Sequence, residues 1–138
     1  MSRKKELIDG LNQDLNLELE AVLRHLYHAA SATGLLGHEL RESLKGEAGN
    51  ELSHAAYIAD KIVALGGDVR IDVKMPKKLK TAREMLQAGI AAEREIIANY
   101  TERIKQAEEA GERGLVIRLE DMIAEETDHA EELERLAK

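Results

Sequence analysis

Two glutamate–histidine pairs in this chain share one spacing: Glu51-Leu-Ser-His54 and Glu126-Thr-Asp-His129. On a helix, residues i and i+3 lie on one face about a turn apart, so each pair can offer a carboxylate and an imidazole to the same ion. A single pair is weak as a signal, because a solvated glutamate-rich face produces one readily. Here each pair also has a glutamate 33 residues upstream, Glu18 and Glu93. Both are set among apolar neighbours, in Leu15-Asn-Leu-Glu18-Leu-Glu-Ala-Val and Ile90-Ala-Ala-Glu93-Arg-Glu-Ile-Ile. Buried carboxylates are costly unless paired, protonated or bound to metal. Two divalent ions would neutralise four carboxylates flanked by two neutral imidazoles, so the arithmetic favours a dinuclear site over a mononuclear one. The expected ligands are therefore Glu18, Glu51, His54, Glu93, Glu126 and His129.

The elements that must position them follow from sparse punctuation. The chain has 138 residues, 43% hydrophobic and 34% charged, with one Pro, and reads as long amphipathic helices. Gly34 and Gly37 flank a short turn, Gly66-Gly67 ends a helix, and Gly111 and Gly114 make the last break. These marks predict one domain over 1–138, with helices at about 2–33, 36–65, 81–110 and 112–137. Each helix would be on the order of 40 Å long. Short first and last turns require two antiparallel hairpins. About fifteen residues join them, with Val69, Ile71 and Val73 alternating before Pro76 as in an extended segment. At up to ~3.3 Å per residue, that connection can run the length of the bundle. The expected fold is all-α: a four-helix bundle of two hairpins joined by a long crossover. An up-down-up-down bundle with a loose third loop is the alternative.

A repeat supports the paired hairpins. Adding 75 to a first-half number takes Leu11 to Leu86, Leu44 to Leu119, Glu18 to Glu93, Glu51 to Glu126 and His54 to His129. A pseudo-twofold axis would show each hairpin's groups in duplicate.

Composition excludes several classes. There is no Cys, hence no disulfide, thiolate zinc site, thiol catalysis or iron–sulfur cluster. A net charge of -7 and 2% aromatic residues oppose a nucleic-acid module. The cluster Lys74, Lys77, Lys78 and Lys80 reads as a solvated loop. No run approaches the ~18 apolar residues of a membrane span. Residues 1–10 lack the apolar stretch of a signal peptide, so a cytoplasmic protein is expected.

One Glu from each of two helices and Glu-x-x-His from each of two others resembles the ferritin-like di-iron carboxylate proteins. Within that family, Leu11-Asn-Gln-Asp-Leu-Asn-Leu-Glu-Leu-Glu-Ala with His28-Ala-Ala is similar to the first helix of bacterioferritins. Glu51-Leu-Ser-His-Ala and Ala59-Asp-Lys-Ile-Val-Ala-Leu-Gly-Gly are similar to the second. The resemblance implies that Glu18 and Glu93 are terminal carboxylates, that Glu51 and Glu126 bridge two Fe ions, and that His54 and His129 complete one each. It also implies a homo-oligomer. The methionine that ligates haem in bacterioferritins is replaced by Leu52; Met1, Met75, Met85 and Met122 lie elsewhere, and no haem is expected. Neither the short fifth helix of large ferritin shells nor, without Cys, the four-cysteine iron domain of rubrerythrins is expected.

His25 and Tyr100 follow Glu18 and Glu93 by seven residues, two helical turns, on the same helix faces. They are expected either to hydrogen-bond the ligands or to be ordinary core residues; His25 is alternatively an extra ligand. His28 and His38 read as surface residues, and so does Glu47, whose alternative is to lead iron inward from one turn before Glu51. Gly46 and Gly49 leave room for a neighbouring helix or subunit.

The expected activity is oxidation of Fe(II) to Fe(III) by O2 or H2O2, with iron storage or detoxification as its purpose. The alternatives are a rubrerythrin-like di-iron peroxidase or oxidase with an external electron donor, and a bundle holding Zn or Mn without redox chemistry.

Overall fold

A computed structural model describes residues 2–138, leaving Met1 outside. Among these residues stand four helices and no strand: α1 (Arg3–Ser31), α2 (Gly34–Ala64), α3 (Ala82–Glu109) and α4 (Arg113–Leu136). None is long and apolar enough to cross a membrane.

The helix ends have local causes. Ser2 caps α1 by accepting from the Lys5 amide at 3.1 Å. Thr81 and Glu84 form a reciprocal capping box at the start of α3. At the end of α2, Gly66 takes φ +90° and the amides of Gly66 and Gly67 return to the carbonyls of Val63 and Ile62. This is the paired closure that a left-handed glycine permits. The first turn is tighter than its glycines suggest: α2 begins at Gly34, and Gly37 is buried inside it. Gly114 likewise lies within α4.

Inward positions recur at spacings of three and four on every helix. On α3 they are Gly89, Glu93, Ile96, Tyr100, Arg103 and Ala107. The seam encloses two hydrophobic clusters. One contains Leu11, Ile58, Ile62, Leu65, Ala107 and Leu115; the other contains Ala29, Leu40, Leu44, Met85, Leu86 and Leu133. The helix ends found in each cluster give the directions. α1 and α4 run from the first cluster to the second, and α2 and α3 run back. Parallel α2 and α3 require the connection between them to traverse the bundle, as the one-crossover topology demands.

The crossover is extended, but its partner is a helix. Asn12 donates to the Asp68 carbonyl at 3.0 Å and accepts from the Arg70 amide at 2.7 Å. One turn on, Asn16 donates to the Arg70 carbonyl at 2.8 Å and accepts from the Asp72 amide at 2.7 Å. Glu20 then accepts from the Lys74 amide at 3.0 Å. Four helical residues rise ~6.0 Å and two extended residues ~6.6 Å, so alternate backbone units meet successive turns of α1. The alternation of Val69 and Ile71 thus marks extended backbone without a sheet, and both side chains are exposed.

Candidate metal centre

Between the two apolar clusters the inward positions turn polar. Glu18 (α1), Glu51 (α2), Glu93 (α3) and Glu126 (α4) expose no surface at all. His54 is buried beside them and His129 is half-buried. Helix pairing explains who meets whom. α2 and α4 run antiparallel, so the histidine of each faces the glutamate of the other. His54 Nδ1 lies 3.1 Å from Glu126 Oε1, and His129 Nδ1 lies 3.2 Å from Glu51 Oε1. His54 Nδ1 is also 3.6 Å from Glu18 Oε1.

Two donor sets emerge, each with ligand atoms lying within 4.8 Å of one another: Glu18, Glu51, His54 and Glu126, and Glu51, Glu93, Glu126 and His129. They interlock through Glu51 and Glu126. All six residues singled out by spacing are brought together.

The donor atoms fit metal better than they fit each other. Both oxygens of Glu51, Glu93 and Glu126, one of Glu18, and Nδ1 of both histidines have no hydrogen-bond partner although they are buried. Protein interiors rarely leave such groups unsatisfied, and a buried orphan costs about 1–3 kcal/mol. Carboxylate oxygen and imidazole nitrogen are the donor types that suit first-row divalent ions.

The outward nitrogens have partners. His54 Nε2 is hydrogen-bonded to Glu125, and Asn50 Nδ2 lies 3.1 Å from His129 Nε2. A carboxylate at Nε2 requires a proton there and leaves Nδ1 free to coordinate, as ligating histidines usually are arranged. With its amide flipped, so that the oxygen takes the place of Nδ2, Asn50 would accept from His129 Nε2 and give the same tautomer.

The metal-free electrostatics are severe. Burial and then the adjoining Glu18 push Glu51 far above the carboxylate range. Burial and Glu126 raise Glu93, with His25 opposing them. Burial disfavours the His54 cation, but Glu126, Glu18 and Glu125 outweigh it and raise its pKa to about 10. Each of these shifts favours the protonated form, so a metal binding here would have to displace protons.

His25 and Tyr100 are fully buried, and each faces the helix opposite its own. Tyr100 donates to Glu18 Oε1, whereas His25 Nε2 approaches Glu93 Oε1 at 3.5 Å. Burial and the Glu18 carboxylate raise the Tyr100 phenol well above its ordinary value.

Two surface expectations need correction. Glu47 is only 5% exposed, because it points into the bundle one turn before Glu51. His28 is buried too, on a side of α1 that the crossover covers near Lys77. His38 is exposed, as expected. A Cβ at Gly46 or Gly49 would meet nothing within 4 Å, so no part of this chain approaches closely there.

Sequence reasoning missed one further buried pair. Arg103 grips Asp14 with two hydrogen bonds, Nε at 2.8 Å and Nη2 at 3.1 Å, one turn from Glu18. Burial still raises Asp14 to about 6, with Arg103 holding it down. The signal was present: Arg103 lies three residues after Tyr100 on the inward face.

An antiparallel double hairpin with a buried carboxylate–histidine cluster at mid-height defines a helical bundle whose interior fits a metal site. The chain matches the ferritin-like domain family over residues 8–138 and belongs to it. It is 28% identical to the bacterioferritin of Mycobacterium leprae over 135 residues, 97% of this chain and 85% of that protein. The bacterioferritin of Mycobacterium avium is 26% identical over the same shares. Among solved structures, a ferritin-like diiron-carboxylate protein from Bacillus anthracis superimposes with a TM-score of 0.95, at 40% identity and full coverage of both chains. A Dps protein from Bacillus brevis superimposes at 0.92 over 100% of this chain and 99% of that one; at 15% identity it shares the fold.

Proposed function

We propose that this chain is a di-iron ferroxidase of iron storage and detoxification, oxidising Fe(II) to Fe(III) with O2 or H2O2. The observation that carries the reading is the interlocking of two four-residue donor sets through Glu51 and Glu126. Glu18 and His54 complete one position, Glu93 and His129 the other. The mycobacterial relatives are bacterioferritins and the Bacillus anthracis protein is a diiron-carboxylate protein, which supports iron as the metal.

Two Fe(II) ions give up one electron each; O2 takes both with two protons and leaves as H2O2, while H2O2 takes both with two protons and leaves as two waters. The chain sets the conditions. Hard carboxylates favour the ferric state, and the imidazoles retain affinity for the ferrous one. Tyr100 fixes the Glu18 carboxylate and leaves its other oxygen unpaired. Glu125 and Asn50 hold the ring orientations. A homo-oligomer belongs to the same reading: Leu26 of α1 and Leu52 of α2 stand 65% and 54% exposed, apolar surface that a second copy would cover.

The test is anaerobic titration with Fe(II), then rapid mixing with O2 while following near-ultraviolet absorbance. A break at two irons per chain and fast oxidation are expected, both lost in Glu51→Gln and Glu126→Gln. No break, or oxidation no faster than in buffer, would overturn the proposal.

A further inference from the structure

Beside the dinuclear cluster lies a second group of donors that the six residues do not explain. His25 (α1), Glu47 (α2) and Glu93 (α3) bring ligand atoms within 4.8 Å of one another, and all three are buried. We propose that they form a third divalent-cation position, joined to the pair through the shared Glu93 carboxylate.

The orphaned atoms point to it. His25 exposes no surface, yet neither of its ring nitrogens has a hydrogen-bond partner. Glu47 Oε2 is also unpartnered, because Ser43 reaches only Oε1, at 3.3 Å. Both oxygens of Glu93 are unpartnered as well. A histidine kept here for packing alone would leave two ring nitrogens without a partner, where an apolar residue of similar size would leave none.

The spacing is that of ligands. His25 Nε2 stands 3.5 Å from Glu93 Oε1 and 3.7 Å from Glu47 Oε2, too far for good hydrogen bonds. Donors around a tetrahedral ion with bonds of ~2.1 Å are roughly 3.4 Å apart. The two distances from His25 Nε2 therefore need to close by only a few tenths of an ångström, and the two carboxylates already lie within 4.8 Å of each other.

One member of the group, His25, lines a cavity. A cavity of about 290 Å³ between α1 and α2 has His25, Ala29, Leu44 and Ala48 in its wall. Arg41 and Lys45 line it too, so the affinity for a cation comes from the carboxylates behind His25. One imidazole and two carboxylates suit Fe(II), Mn(II) or Zn(II). Because Glu93 serves both places, this position would hold an ion in passage to or from the half of the pair completed by His129.

The proposal rests on the dinuclear reading only through Glu93, and Zn(II) alone as the probe separates the two. Zinc bound per chain is counted after equilibrium dialysis, and crystals grown with Zn(II) are mapped by anomalous scattering at the zinc edge. The expected result is three zinc ions per chain, one bonded to His25 at ~2.1 Å. His25→Phe and the volume-conserving Glu47→Gln should each bind two, leaving the pair's peaks unchanged. No peak at His25 in the wild type would overturn the third position, whatever the pair binds. Loss of the pair's zinc in Glu47→Gln would overturn it too, since the residue would then serve the pair itself. A peak at His25 without the pair would uphold the third position and sink the dinuclear reading.

Discussion

Tyr100 donates a hydrogen bond to Glu18 from across the bundle, 82 residues away in the chain. Its pseudo-twofold counterpart, His25, approaches Glu93 in the reciprocal sense. Because α1 and α3 run antiparallel, the group two turns beyond each glutamate lands on the opposite glutamate. The symmetry that duplicates the carboxylates also places a polar side chain beside each, but with different chemistry. A phenol donates one hydrogen bond, whereas an imidazole can bind an ion. The asymmetry of the cluster therefore begins at these two positions.

Tyr100→Phe removes that donor and leaves Glu18 Oε1 buried and unpaired. The metal-free protein should lose about 1–3 kcal/mol of stability. Metal affinity or oxidation rate should fall about 10- to 100-fold, as for other groups that orient a ligand. Circular dichroism, thermal unfolding and Fe(II) titration check these together. Unchanged affinity and rate would mean that Glu18 is held by its neighbours alone.

The metal-free protein should become less stable as pH rises, and the metal-bound protein should not. Glu47 is raised from 4.5 to about 8, by burial first and then by Glu93. Between those values the folded chain keeps a proton that the unfolded chain has lost, so its contribution is whole below 4.5 and fades towards 8. His54, raised from 6.5 to about 10, acts in the same direction over its own window: present below 6.5 and lost by 10. Metal binding releases these protons, so affinity should climb over the same range. Melting curves with chelator and with Zn(II) across pH 5 to 9 would show opposite trends; parallel curves would contradict the proton-loaded cluster. Glu47→Gln should flatten the lower part of the metal-free curve.

Gly10→Ala should destabilise the protein although alanine favours helix. A Cβ at Gly10 would lie 1.8 Å from Arg103 Nη1, displacing the guanidinium that holds the buried Asp14. Breaking a buried pair costs about 3–5 kcal/mol, against a helix gain of about 1 kcal/mol. In an Arg103→Met background the obstruction is gone, and Gly10→Ala should then stabilise by about 1 kcal/mol. The double-mutant cycle should report strong coupling. Additive effects would show that the guanidinium moves aside at little cost.

How far the sequence carries depends on what sets each feature. Helix ends at Gly66 and Gly111 are local, written in one residue's conformational freedom, and could be read directly. The six-residue cluster was readable because helical spacing and the repeat are arithmetic. Burial of Glu47 and His28 was not, since a polar side chain's exposure depends on which neighbouring segment covers it. The crossover supplies that cover for α1, and its course is fixed by Asn12, Asn16 and Glu20. Those three residues look like an ordinary polar face until the extended segment lies on them.

That ladder makes the crossover a structural element, and Asn16 is its centre. Its amide accepts from the Asp72 amide and donates to the Arg70 carbonyl, two hydrogen bonds that water would otherwise satisfy. Each is worth about 0.5–1.5 kcal/mol net. Asn16→Ala should therefore lower global stability by roughly 1–2 kcal/mol. Amide exchange should report more than the loss of stability: exchange at Asp72 and Lys74 should accelerate far beyond that at Ile58 or Leu119 in the core. The pairing is one rung of a local unit that opens before the bundle does. Asn16→Asp offers a second check, because it keeps the acceptor for Asp72 and loses the donor to Arg70. Protection at Asp72 should survive in that variant and fall in the alanine variant. Equal loss in both would mean that the crossover is held by Asn12 and Glu20 without its middle rung.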